Sequence, residues 1–432
     1  MGPHNVVVAQ SGGPTCVINA SLLGIIEGCR SFPGKFGSIF AAKHGIEGLL
    51  HEELIDVGVQ DEQELELLKT TPAAGAIGTC RYKVKPDQTE DLGRIVEVLR
   101  AHRVGFFFYI GGNDSMDTAH RVSELARDHG LDLVCVGVPK TIDNDLGDQD
   151  RVIIDHTPGY GSVARFWANL VSGADQENRG SSPADPVLVI QAMGRRIGFI
   201  PASARLADPM REMPLLIALP EAGLTLQELG DHVEREVRRF GRAIVVVSEG
   251  FDVGSLGERK DPFGHVEFGA SQQSVAQAVV NYLNARGLPV RGSARGQIPG
   301  TQQRHAFAHA SAVDVEEAQA VGRHAVEVAL SRGSGFMATI VRKTGAKYGV
   351  SFASAPLSEM ANSERRFPSE WISPSRIDVA DEFLEYATPL IGQSWPKIPL
   401  QKGLPRFARL APTLAVKTLA AYIPEGHRKD RR

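Results

Sequence analysis

The sequence predicts an α/β protein with mainly parallel sheets, helices on both sheet faces, and at least two lobes sharing a cleft. Strand-length apolar runs alternate along the chain with stretches of helical periodicity, the pattern of parallel strands joined by covering helices. The length of 432 residues is large for one core, so two or more lobes are expected. With 42% apolar and 23% charged residues the composition is that of an ordinary globular protein.

The elements follow in order. Val6–Ala9 reads as a strand that feeds a Gly-Gly turn and then a helix over Val17–Cys29, with Ile18, Leu22, Ile25 and Ile26 on one face. The run Phe106–Ile110 is a buried strand opening into Gly111-Gly112-Asn113-Asp114-Ser115. Met116, Ala119, Val122, Leu125 and Ala126 then recur at helical spacing until Gly130, and Asp114 or Ser115 suits the N-cap. Val136–Val138 is a further strand, opening into Pro139-Lys140-Thr141-Ile142-Asp143-Asn144-Asp145.

Strands are also expected at Val187–Gln191, Leu215–Leu219, Ala243–Val247 and Met337–Arg342, and helices at Leu226–Phe240, Gln272–Ala285 and Val315–Leu330. We place a first lobe at 1–146, a second at 147–330, and returning strands with an extended tail at 331–432. Prolines at 368, 374, 389, 396, 399, 405 and 412 break periodicity, so the tail is expected to wrap the surface, its charged end Gly426–Arg432 frayed.

A net charge of −4 supplies no field that would gather nucleic acid or an anionic membrane. The longest apolar runs are strand-length, far short of the roughly 20 residues that a bilayer span requires. The amino terminus lacks the pattern of a secretory leader. Cys16, Cys29, Cys80 and Cys135 are dispersed without a CxxC pair, which points to a reducing, cytoplasmic setting with no structural zinc.

The chemistry is concentrated in loops at strand ends, where open α/β sheets place ligands. Gln10-Ser11-Gly12-Gly13-Pro14 could bring backbone to a phosphate at a helix start, and serves equally as a structural turn. The Gly111–Ser115 loop is more informative, because its glycines precede both a carboxylate and a hydroxyl. In the Lys140 loop, Asp143 and Asp145 flank Asn144, and alternate carboxylates can divide labour between proton acceptor and metal ligand. Lys140 adds a compact charge suited to phosphoryl oxygens.

At these motifs the chain resembles the phosphofructokinases, in particular their pyrophosphate-dependent branch, with motifs in the family's order from Val6 to about Arg342. The resemblance implies two Rossmann-like α/β lobes, a donor lobe at 1–146 and a sugar-phosphate lobe at 147–330, with the active site in the cleft between them. It implies reversible, Mg2+-dependent phosphoryl transfer from pyrophosphate to fructose 6-phosphate, a step of glycolysis and gluconeogenesis, by a homodimer or homotetramer. Asp143 would take the proton from the sugar 1-hydroxyl, and Thr141 would contact the sugar or the transferred group. Gly12, Gly13, Arg81 (in Gly78-Thr79-Cys80-Arg81-Tyr82), Gly112, Asp114, Ser115 and Lys140 would hold the donor. Met193-Gly194-Arg195, Glu249, Arg295 and Arg304 would hold the sugar phosphate, and in the family one of the two arginines matched by Arg295 and Arg304 can come from a neighbouring subunit. Asn113 stands where many relatives carry a magnesium-linked aspartate, so the metal, bound among Asn113, Asp114 and Asp145, would lean on the two aspartates and water.

The donor is read from two positions. Where this chain has Asp114 and Lys140, ATP-using members of the family carry glycines that leave room for a nucleotide. An aspartate fills and repels in that space, and Lys140 would neutralise a shorter donor. Ile46, in a loop where some ATP-users carry an aromatic residue, points the same way. An ATP-dependent phosphofructokinase, an acceptor such as sedoheptulose 7-phosphate, and a sugar-phosphate-binding regulatory subunit are the rival readings.

Overall fold

A computed structural model describes residues 3–85, 87–147, 153–254, 273–361 and 363–428. Runs rich in β-branched and aromatic residues form strands β1 (His4–Gln10), β2 (Phe36–Ala42), β3 (Leu54–Asp56), β4 (Val104–Gly111) and β5 (Val134–Pro139). Later come β6 (Val187–Ala192), β7 (Leu215–Ala218), β8 (Ala243–Ser248), β9 (Ala294–Gln297), β10 (Phe336–Arg342) and β11 (Val350–Pro356). They assemble into a seven-stranded sheet in the order β11-β10-β5-β4-β1-β2-β3 and a four-stranded sheet in the order β7-β8-β6-β9. The central pairs of the first sheet and all pairs of the second are parallel, while β3 and β11 pair antiparallel at the edges.

This order positions the site. From β1 the chain moves to β2 on one side and later returns to β4 on the other, so the loops after β1 and β4 diverge and leave a crevice at their carboxyl ends. In the second sheet β6 lies between β8 and β9, which sets the loops after β6 and β8 side by side.

Late chain returns to the first sheet. The helix Ala312–Ser331 packs along Ile18–Arg30, and glycines allow the close approach: a Cβ on Gly24 would lie 2.0 Å from the Gln319 carbonyl oxygen, and one on Gly322 would lie 2.3 Å from that of Ser21.

Two expectations are corrected. The helix over Asn113–Asp128 starts behind Gly112, and no side chain caps it; Asp114 and Ser115 fall inside its first turn, and Asp114 instead pairs with Lys83 at 2.6 Å. Nor does the whole tail lie on the surface. Asp381–Ile391 is a helix that buries Phe383, Tyr386, Ala387 and Leu390 against Phe199, Phe367 and Tyr160. Pro389 falls in its last turn, and the helix ends two residues later, as the lost N–H donor and the ring's clash with the preceding turn require. The tail beyond does run along the first sheet, with Ala415 N donating to Leu54 O at 2.8 Å. The expected helix start at Gln272 and the end of the tail, 429–432, lie outside the described residues.

A buried ion cluster ties residues 155–156 to the later segment 317–348. His156 Nδ1 and Nε2 meet Asp155 Oδ2 and Glu317 Oε2, each at 2.7 Å; Arg342 joins Asp155, and Tyr348 donates to Glu317. Burial by itself lowers the imidazole pKa, but the two carboxylate hydrogen bonds outweigh it and raise it to about 9. Since the folded value lies above the ordinary one, this contribution is complete below about pH 6.5 and fades as pH rises through about 9. Denaturant unfolding across pH is expected to show this alkaline loss. In His156→Gln the loss should vanish, and stability at neutral pH should fall by about 3–5 kcal/mol, because the buried Glu317 loses its cation and Asp155 one of its two.

Candidate active site

The loop after β1 is shaped by Gly12, whose φ of +73° is a conformation that disfavours side chains. Its N–H donates to Cys80 O at 3.0 Å, and Thr79 Oγ1 donates to Gly12 O at 3.0 Å, which docks the 79–81 segment beside the loop. At Gly13 a Cβ would come within 2.5 Å of Arg304 Nη1, so the missing side chain admits the guanidinium.

Lys140, from the end of β5, is 3% exposed and donates from Nζ to Gly13 O at 2.7 Å. Burial pulls its pKa down to about 7, with Arg304 adding to the effect and Asp143 and Asp145 opposing it. Arg304 is also shifted down, first by burial and then by Arg81. Its Nε is buried with no hydrogen-bond partner among the described residues. Three cations thus converge where the first loop meets the second sheet.

The carboxylates stand opposite. Asp143 N donates to Thr141 Oγ1 at 3.1 Å, and the Thr141 backbone is held by Pro158 O and the Thr157 hydroxyl. Asn144 sits between the two aspartates at φ +57°, a conformation asparagine tolerates better than most residues. Its amide donates to Tyr386 Oη at 2.8 Å and accepts from Thr157 N at 3.0 Å, so the turn that presents Asp143 and Asp145 is pinned to the tail helix. Asp145 is shifted upward by burial and then by Asp143. Asn113 Nδ2 donates to Asp145 O at 3.3 Å, while Asn113 Oδ1 is buried and unpartnered among the described residues.

The second sheet supplies the far wall. After β6, Gly194 and Arg195 both take positive φ, and Arg195 N donates to Glu249 Oε1 at 2.9 Å. Gly250 permits the approach, since a Cβ there would lie 2.0 Å from Arg195 O. Burial, then Asp143, raises Glu249 to about 7. Gln303 fixes the neighbouring loop: its Oε1 accepts from Met193 N at 3.1 Å and from Trp167 Nε1 at 2.9 Å.

The structure therefore brings Gly12, Gly13, Arg81, Lys140, Thr141, Asp143, Asp145, Arg195, Glu249 and Arg304 together, with Met193 and Gly194 on the far wall. Gly112, Asn113 and Asp114 lie at the end of β4, and Ser115 is buried against Gly111. Arg295 is not in the group; it lies on the edge strand β9, largely exposed, its Nε donating to Asp185 at 2.7 Å. Sequence reasoning missed Lys83, Asn144, Gln303 and Tyr386. Only Asn144 carried a local signal, an asparagine between two aspartates.

Such an arrangement binds anions on one side and accepts a proton on the other. Asn144→Ala is expected to lower stability by about 1–3 kcal/mol through lost buried hydrogen bonds, measured by denaturant unfolding. Asn144→Gly, which restores the backbone freedom, should be less damaging.

Residues 5–329 match the family described as Phosphofructokinase. The chain is 38% identical to the pyrophosphate–fructose 6-phosphate 1-phosphotransferase of Methylococcus capsulatus over 98% of this chain and 99% of that protein. With the protein of the same name from Halomonas elongata it shares 36% over 95% and 97% of the two chains. The crystal structure of the pyrophosphate-dependent phosphofructokinase from Marinobacter aquaeolei superposes with a TM-score of 0.86 at 37% identity, covering 97% of this chain and 99% of that one.

Proposed function

Because the chain belongs to the phosphofructokinase family, we propose that its cleft transfers a phosphoryl group reversibly between pyrophosphate and fructose 6-phosphate. The observation that carries this reading is the convergence of Lys140, Arg81 and Arg304 opposite Asp143, Asp145 and Glu249. Three clustered cations, with the Arg304 Nε buried and unpartnered among the described residues, call for polyanionic ligands. The carboxylates call for a hydroxyl that donates to them.

Phosphoryl transfer asks mainly for alignment and charge stabilisation. Gly12, Gly13, Gly112 and Ser115 shape the donor site, and Lys140 and Arg81 counter its charge. Arg304 grips the 6-phosphate through a planar fork of donors. Met193, Gly194, Arg195 and Glu249 hold the sugar, and Thr141 lies beside Asp143 to contact the reacting group. Asp143 accepts the proton of the sugar 1-hydroxyl as its oxygen attacks in line. Arg295, exposed at a sheet edge, is assigned to the 6-phosphate site of a neighbouring subunit in a homodimer or homotetramer.

Mg2+ fits the donor set. Among the described residues no cluster of three or more His, Cys, Asp or Glu could hold a metal by itself, which suits an ion that keeps waters and relies on substrate phosphates. Asn113 Oδ1 and Asp145 would hold it, with Asp114 nearby but committed to Lys83. When bound, it would neutralise charge on the donor phosphates. Among the described residues no helix is long and apolar enough to cross a membrane. All four cysteines are buried and free, as thiols are in a reducing compartment, which supports a cytoplasmic assignment.

A coupled assay with fructose 6-phosphate is expected to give product with Mg-pyrophosphate and little with Mg-ATP; the reverse preference would overturn the donor assignment. Asp143→Ala should lose roughly 10²–10⁴-fold in kcat, the usual weight of a general base, and near-normal turnover would remove that role. Lys140→Gly should lower kcat/KM for pyrophosphate at least about tenfold, the equivalent of one charge-assisted contact.

A further inference from the structure

Residues 81–83 make contacts on two sides, as successive residues of an extended segment do. Arg81 stands near Arg304, and Lys83 Nζ reaches Asp114 Oδ1 at 2.6 Å. Tyr82 turns the other way. Its hydroxyl donates to the Asp91 carboxylate and accepts from Gly426 N at 2.9 Å and Gln88 Nε2 at 3.1 Å. Its ring meets His427 edge-on at a centroid distance of 5.1 Å.

Asp91 is fully buried in the first turn of the helix Thr89–Ala101. Its other oxygen accepts from Tyr422 Oη at 2.6 Å and Glu425 N at 2.9 Å, and Glu425 Oε2 accepts in return from Asp91 N at 3.0 Å. A second buried carboxylate, Glu52, anchors the strap earlier, accepting from Thr418 N, Thr418 Oγ1 and Leu419 N. The tail 418–428 thereby grips the back of the segment whose front presents Arg81 and Lys83 to the cleft.

We propose that Lys83 is a donor-selecting residue that closes the Asp114 side of the pocket as an ion pair, and that Tyr82, Asp91 and the strap Tyr422–Gly426 are positioning residues that hold it there. The proposal rests on pyrophosphate being the donor. An unpaired Asp114 would repel inorganic pyrophosphate as well as a nucleotide. Paired with Lys83, it keeps its bulk in the space a nucleoside phosphate would need and loses its repulsion toward the smaller anion. One of the three ammonium donors serves Asp114, which leaves donors for a terminal phosphate oxygen. The pair is a quarter to a third exposed, where an ion pair contributes little to stability, so its value lies in where it stands.

The test begins with wild-type kinetics. Lack of turnover with Mg-pyrophosphate removes the donor reading and this inference with it. Given that turnover, Lys83→Met should raise KM for pyrophosphate about tenfold and leave KM for fructose 6-phosphate within about twofold, with Lys83→Arg recovering most of the loss. In an Asp114→Asn background the Lys83→Met penalty should shrink to less than about a third, since the charge to be neutralised is gone. Tyr422→Phe, which removes one hydroxyl and keeps the ring, should raise KM for pyrophosphate about threefold or more at unchanged kcat. An unmoved pyrophosphate KM in Lys83→Met, or a Lys83→Met penalty independent of Asp114, overturns the selecting role. Parallel rises of both Michaelis constants in Tyr422→Phe overturn the positioning role.

Discussion

The arrangement of the cleft depends on the burial of Lys140. An ammonium removed from water beside a second cation is costly, and the protein offsets that cost with the Gly13 carbonyl on one side and the Asp143 and Asp145 carboxylates on the other. Each partner is thereby constrained. The first loop must bring a backbone oxygen to Nζ, which Gly12 permits through its positive φ, while Gly13 leaves room for Arg304. The turn after β5 must present two carboxylates on one short stretch, which requires Asn144 in a left-handed conformation.

The opposing charges do not neutralise one another by direct contact alone. Arg304 is buried near Arg81 and Lys140, and Asp145 and Glu249 are pushed toward protonation by burial and by Asp143. A cleft in this condition is preorganised for ligands that bring the missing charges, phosphate oxygens against the cations and a hydroxyl against the carboxylates. The supports lie outside the cleft: Tyr386 behind Asn144, Gln303 behind Met193, and the strap behind Tyr82.

The central strands were legible because β1, β4, β5, β6 and β8 are buried on both faces and read as continuous apolar runs. Edge elements were not. β9, Ala-Arg-Gly-Gln, has one buried residue, so no hydrophobic pattern announces it. The helix Asp381–Ile391 was hidden by the prolines around it, and its burial depends on a groove built from residues near 160, 199 and 367. The expected cap at Asp114 failed because the helix starts behind Gly112, two residues earlier, which leaves that carboxylate free to pair with Lys83.

Local chemistry was therefore written in the chain itself. Glycine where backbone must pass close, paired aspartates after a buried strand, and lysine beside them follow from short-range rules that need no neighbours. Folding alone chose the partners: which cation meets which carboxylate, that Arg295 lies apart from Arg304, and that residues 418–428 stand behind the segment 81–83. Those choices come from long-range packing of surfaces whose complementarity no single segment contains.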